Sequence, residues 1–196
     1  MSDSSLLLLE TIRIEDAMTC NLSYHQTRFD RSRKALFGST RSLDLASFIE
    51  PPSEGLYRCR ILYNEHIRSI EYFPYTPKEI HRLKIVTSNI QYDYKYADRK
   101  GLNSLLSKED NMDEIIIEKE GYLTDTTIAN IAFYDGEQWF TPARPLLEGT
   151  MRAKLLAKSF LQKKDIAKEE LKNYTHVALM NAMIGFKILK HFTIQK

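Results

Sequence analysis

The stretch Gly121-Tyr122-Leu123-Thr124-Asp125-Thr126-Thr127-Ile128-Ala129-Asn130-Ile131 anchors the reading of this chain. It gathers one carboxylate and three threonine hydroxyls where one short strand gives way to the next. Side chains at such a junction can converge on a ligand. The plainer reading is a polar turn, in which Asp125, Thr126 and Thr127 satisfy nearby backbone groups.

The flanking sequence is punctuated as a meander. Ile115 to Glu118, Tyr122 to Thr124, Ile128 to Tyr134 and Gln138 to Thr141 read as short strands separated by Glu120-Gly121 and Asp135-Gly136 turns. Thr150 opens a helix expected to reach about Gln162, with Met151, Leu155, Leu156 and Phe160 on its apolar side. Val177 to Met180 and Ile188 to Ile194 close the chain as strands. Upstream, Leu6 to Ile14 reads as a strand, and Ser23 and Gly38 bracket a helix as N-cap and C′ residue. Leu56 to Tyr63 and His66 to Phe73 form a hairpin around Asn64-Glu65, and Leu83 to Ile90 is a further strand. Asp98 is expected to cap a helix to about Leu106, weakened early by Gly101. The whole predicts an α+β chain in two lobes: residues 1–92, a crossover at 93–99, and residues 100–196.

Composition narrows the classes. The 196 residues are 43% hydrophobic and 28% charged, the balance of a soluble globular protein. Basic and acidic residues number 28 and 26, without a basic block, which argues against a nucleic-acid partner. Cys20 and Cys59 stand far apart with no ligand spacing, so neither a metal nor a disulfide framework is expected, and a cytoplasmic location is. The run Leu6 to Leu9 is too short for a signal-peptide core, and no stretch reaches membrane-spanning length. The five histidines show no ligand spacing and receive no role.

Three further places call for chemistry. Arg28 follows Tyr24 by one helical turn and precedes Ser32 by another, so it points inward and needs an anion, while Asp30 and Arg33 point elsewhere. A carboxylate in a structural ion pair would answer that need as well as a ligand would. Gly149 precedes a helix, where backbone N–H groups can cradle a phosphate, although it also reads as a turn residue before a Thr150 cap. Lys95 sits between strand and helix among Tyr92, Tyr94 and Tyr96, a setting that would lower its pKa, yet a solvated surface lysine reads the same way.

Taken in order, these segments resemble the class IV aminotransferase family, the fold-type IV pyridoxal-phosphate enzymes. Leu9-Glu10-Thr11-Ile12 and Tyr24-His25-Gln26-Thr27-Arg28-Phe29 are similar to the family's first strand and the helix whose arginine binds the cofactor phosphate. Tyr94-Lys95-Tyr96-Ala97-Asp98-Arg99 matches the place of the Schiff-base lysine, and Gly121 to Ile131 resembles the G-x-x-T-E-x-x-x-x-N signature. Thr141-Pro142, Leu147 and Gly149 to Arg152 follow in the family's order.

The resemblance implies a small amino-terminal α/β lobe, a strand-rich pseudo-barrel lobe and pyridoxal 5'-phosphate as cofactor. Lys95 would be catalytic, and Asp125 would pair with the pyridinium nitrogen. Arg28, Gly149 and the N–H groups of Thr150 and Met151 would hold the phosphate, with a hydroxyl from Thr126 or Thr127. Arg58, Arg60, Arg99 and Asn181 are candidates for the carboxylates of a small amino substrate. The chain departs from the pattern where Asp125 replaces the usual glutamate, where Thr150 falls one position early so that Met151 precedes Arg152, and in its short first lobe. Met180-Asn181-Ala182-Met183 resembles the branch that converts 4-amino-4-deoxychorismate to 4-aminobenzoate and pyruvate in folate biosynthesis. An aminotransferase of branched-chain or D-amino acids and a non-catalytic homologue remain as alternatives. A homodimer is implied in each case.

Overall fold

The computed structural model describes residues 6–196, which divide into two compact units. The first takes the chain up to Pro77 together with Tyr94–Asp98. Its strands are β1 (Leu8–Glu15), β2 (Met18–Thr19), β3 (Leu56–Tyr63) and β4 (Ile67–Pro74), paired antiparallel in the order β2-β1-β3-β4. Alternation along the strands decides the core: Leu8, Ile12 and Ile14 of β1 and Cys59, Ile61 and Tyr63 of β3 share one face. That face packs against Phe29 of helix α1 (Leu22–Phe37).

Helix α1 is capped two residues before the expected Ser23. Asn21 takes that position at φ 54 without a side-chain cap bond. Its end is as expected: Gly38 at φ 64 turns left-handed at no steric cost, and its N–H reaches the carbonyls of Arg33 and Lys34. Tyr94–Asp98 returns to this unit as a short extended segment along β1, where Leu8 and Tyr96 form a bridge.

The second unit holds Lys78–Asp93 and Arg99–Lys196. Its elements are β5 (Arg82–Thr87), α2 (Lys100–Ser107), β6 (Glu114–Lys119), β7 (Tyr122–Thr126), β8 (Asn130–Tyr134), β9 (Trp139–Pro142), α3 (Thr150–Ala157), β10 (Leu161–Lys164), β11 (His176–Asn181), β12 (Gly185–Ile188) and β13 (Thr193–Gln195). The strands run β10-β9-β8-β7-β6-β5-β13, and β11 joins β8 to β12. Leu83, Ile116, Ile131, Phe133, Ile166 and Leu179 lie in its core.

Four expectations are corrected. Residues 78–93 belong with the second unit rather than with residues 1–77, because β5 pairs in parallel with β6 over Leu83–Thr87. Helix α3 stops at Ala157: Ser159 turns left-handed at φ 56, and Leu161–Lys164 then pairs in parallel with β9. Phe160 thereby leaves the helix and lies edge-on to Phe186 at 5.2 Å. The N-cap of α2 is Arg99, not Asp98, and Gly101 makes room for Ile90, whose Cδ1 would lie 3.0 Å from a Cβ there. The closing stretch from Ile188 to Ile194 is broken by His191 at φ 51, so β12 ends as that stretch begins. Among the described residues no helix is long and apolar enough to cross a membrane.

Candidate functional site

In the first unit the chemistry gathers on β1. Alternation turns Glu10 inward between Leu8 and Ile12, where it is wholly buried. Arg28, one helical turn before Ser32 on α1, meets it with Nε at 2.8 Å and Nη2 at 2.6 Å. His25 joins through Nδ1 at 2.6 Å. Burial would raise the Glu10 carboxyl, but the Arg28 charge and the hydrogen bonds from His25 and Arg28 hold it down at about 2. Burial pushes His25 below its usual range against the pull of Glu10, with the Arg28 and Lys95 charges adding to that push. The imidazole is therefore neutral, with Nδ1–H donating to Glu10.

Lys95 is half-buried and its main chain is fixed to the same strand. Leu9 N–H donates to the Lys95 carbonyl at 2.8 Å, and Ala97 N–H donates to that of Leu7 at 2.9 Å. Tyr94 and Tyr96 pack on the core of this unit. Tyr92 does not join them: it lies buried in the second unit, 5.9 Å from the Arg99 guanidinium. Consecutive residues Leu9 and Glu10 thus position the Lys95 backbone and the Arg28 side chain.

In the second unit the signature stretch runs from β7 through a tight turn into β8. Asp125 is 4% exposed. Its Oδ1 accepts from Asn130 Nδ2 at 2.7 Å and its Oδ2 from Leu147 N–H at 2.9 Å. Burial raises its pKa to about 6, opposed by those bonds and by the Arg152 charge. A buried carboxylate hydrogen-bonded by neutral amides favours a cationic partner.

Gly149 caps α3 without a side chain, and Ala153 N–H donates to the Gly149 carbonyl at 2.9 Å. The N–H groups of Thr150 and Met151 lie ahead of it at the positive end of the helix. Beside them Arg152, 2% exposed, donates from Nη2 to the Pro142 carbonyl at 2.8 Å, while its buried Nε meets no hydrogen-bond partner among the described residues. The Met151 side chain packs instead against Ala132, Leu161 and Met180, so only its N–H can serve an anion.

The hydroxyl protons of Thr126 and Thr127 are committed elsewhere. Thr126 Oγ1 donates to the Ala129 carbonyl at 3.1 Å, and Thr127 Oγ1 donates to Glu114 at 2.9 Å. Their part is to shape the turn. Arg99 and Asn181 serve it too: Arg99 Nη2 donates to the Thr127 carbonyl at 2.7 Å and Asn181 Nδ2 to the Ile128 carbonyl at 3.1 Å. Asn181 Oδ1 accepts from Met183 and Ile184 N–H groups, which leaves its amide engaged at both ends. Arg60 pairs with Glu71 at 3.0 Å, and exposed Arg58 stacks on Phe73 at 5.3 Å.

The class IV aminotransferase model matches residues 7–190. The chain belongs to the class IV aminotransferase family. This is a family of pyridoxal-phosphate-dependent enzymes. A protein of Haemophilus influenzae without an assigned function is 37% identical over 184 residues, 91% of this chain and 98% of the relative. A crystal structure from Haemophilus somnus 129PT, of a protein provisionally named a 4-amino-4-deoxychorismate lyase, superposes with a TM-score of 0.86 at 40% identity, covering 92% of this chain and 98% of that one. The structure of a 4-amino-4-deoxychorismate lyase from Pseudomonas aeruginosa shares the class IV fold at 16% identity and a TM-score of 0.71, covering 96% of this chain and 84% of that one.

The second unit fits a phosphorylated, cationic-ring cofactor on its own geometry. The start of α3, which no side chain caps, the Arg152 Nε without a hydrogen-bond partner among the described residues, and the buried Asp125 carboxyl are complementary to the two ends of such a molecule. Sequence reasoning missed Glu10 and His25. Their signals were an acid at an inward alternation position of β1 and a histidine three residues before Arg28 on the same helix.

Proposed function

We propose that this class IV aminotransferase-family chain is a lyase that converts 4-amino-4-deoxychorismate to 4-aminobenzoate and pyruvate. The single observation that carries the reading is the buried Asp125 carboxyl, fixed by Asn130 and Leu147 beside the start of α3. The lyase choice is supported by the name given to the 40% identical relative of known structure. Pyridoxal phosphate, when bound, supplies the electron sink for bond cleavage next to the amine-bearing carbon.

The chain's own residues divide the remaining work. Asp125 keeps a ring nitrogen protonated, because an adjacent carboxylate favours the charged form. The Thr150 and Met151 N–H groups bind the phosphate at the start of α3. Lys95 Nζ removes the proton from the amine-bearing carbon and returns one to the departing enolpyruvyl group. Loss of that group aromatises the ring, so the balance needs neither an amino acceptor nor water. Arg58, exposed on β3, is the candidate for a substrate carboxylate, since Arg99 and Asn181 hold the turn. Cys20 and Cys59 are unbridged, in keeping with a reducing cytoplasm, and a homodimer acting in folate biosynthesis completes the reading.

Purified protein supplied with 4-amino-4-deoxychorismate and no keto acid should release pyruvate and 4-aminobenzoate in equal amounts. Product that forms only when a keto acid is added would make it an aminotransferase instead. Cofactor binding without either activity would leave a non-catalytic homologue.

A further inference from the structure

We infer that Asn130 is the positioning residue of the acid site, holding the Asp125 carboxylate through its amide, and that it can do so only because residue 149 carries no side chain. The inference rests on the reading of Asp125 as the partner of a pyridinium nitrogen, where the carboxylate must stay charged and aligned.

Asn130 is 6% exposed, and its amide is fully oriented by its neighbours. Nδ2 donates to Asp125 Oδ1 at 2.7 Å and to the Leu147 carbonyl at 2.8 Å. Flipping the amide would set Oδ1 against a carboxylate and a carbonyl, so one orientation is fixed by charge. The Leu147 residue is gripped on both sides, its N–H by Asp125 and its carbonyl by Asn130. Asp125, Leu147 and Asn130 therefore close a ring of hydrogen bonds around the shortened acid.

Asn130 Oδ1 lies over Gly149, at a place where a Cβ on residue 149 would overlap it. Gly149 has φ −71 and ψ 146, an extended conformation open to any residue. Glycine is thus required for space, not for backbone freedom. A methyl group at 149 must push the Asn130 amide aside, and the amide cannot move without loosening Asp125.

The test uses cofactor-free protein carrying 13C-labelled aspartate, with the Asp125 carboxyl resonance assigned through Asp125→Asn and followed by NMR against pH. The wild type should titrate near 6. Asn130→Ala should move the midpoint up by about one pH unit, the loss of one hydrogen bond to a charged group. Gly149→Ala should move it the same way, although residue 149 makes no hydrogen bond to Asp125. In the Asn130→Ala background Gly149→Ala should add nothing. If Asn130→Ala does not fold, Asn130→Ser supplies the same comparison. An unmoved midpoint in Gly149→Ala, or an equal shift in both backgrounds, overturns the inference. Pyridoxal-phosphate binding measured on the same variants separates the two claims: tight binding that ignores a shifted Asp125 titration would sink the pyridinium reading while the Asn130–Gly149 coupling stands.

Discussion

Glu10 grips Arg28 along the Nε–Nη2 edge of its guanidinium, and both side chains are buried, at 0% and 8% exposure. The pair is charge-neutral, and His25 supplies a further hydrogen bond from the same helix. Arg28 is therefore held in one orientation from β1.

The pH dependence of stability follows from the same pair. Glu10 is held at about 2 in the fold against 4.5 as its ordinary value. A depressed carboxyl contributes stability that is fully present above the unfolded value and is lost as pH falls through the folded one. The contribution is on the order of 3 kcal/mol. His25, kept neutral by burial, must charge in the unfolded chain below 6.5, so acid weakens the fold from that side as well. Glu10→Gln should be less stable at neutral pH and should show a flatter loss between pH 4.5 and 2 than the wild type. Urea unfolding across that range checks it, and an unchanged slope would contradict the assignment.

Asp125 behaves oppositely. Its folded pKa is about 6 against 3.8, so its relative stability is present below 3.8 and lost as pH rises through 6. Without cofactor, Asp125→Asn should gain on the wild type with rising pH, by up to about 3 kcal/mol above that range. Pyridoxal phosphate should stabilise the wild type and not the variant. Thermal unfolding with and without cofactor measures both effects.

Much of this was legible in the sequence, and the misses share a cause. β3 occupies Leu56–Tyr63 as the hairpin reading predicts, the Glu120-Gly121 and Asp135-Gly136 turns separate β6 from β7 and β8 from β9, and Gly38 ends α1. Local pattern suffices in those places. The apolar spacing of α3 continues to Phe160 and so overstates the helix, because the chain reverses at Ser159 and Leu161–Lys164 pairs in parallel with β9. Arg33 reads as outward on helical spacing, yet it is buried, bonded to the carbonyls of Arg41 and Glu65 and lying 5.0 Å from the Phe29 ring. Partners 8 and 32 residues away decide that, and no local period carries such information. Arg99 and Asn181 were visible as polar groups of interest, while their targets, two adjacent carbonyls of the signature turn, were not.

Those two residues yield a separate prediction. Arg99→Met and Asn181→Ala should each raise amide exchange at Thr127 to Ala129 by about fivefold, the worth of one hydrogen bond near 1 kcal/mol. A rise in KM with exchange unaltered would instead assign them to the substrate.

Ser159 ends α3 in a left-handed conformation at φ 56 that costs a side chain but not glycine. Ser159→Gly should stabilise the protein by about 0.5–1 kcal/mol without altering activity. Denaturant midpoints check this, and a loss of stability would contradict the chain reversal between α3 and β10.

The central claim concerns Lys95, and borohydride trapping tests it most directly. Protein incubated with pyridoxal phosphate, reduced and digested should carry one pyridoxyl label, on the peptide containing Lys95, and Lys95→Ala should carry none. A label on another lysine, or no label on the wild type, would contradict the account.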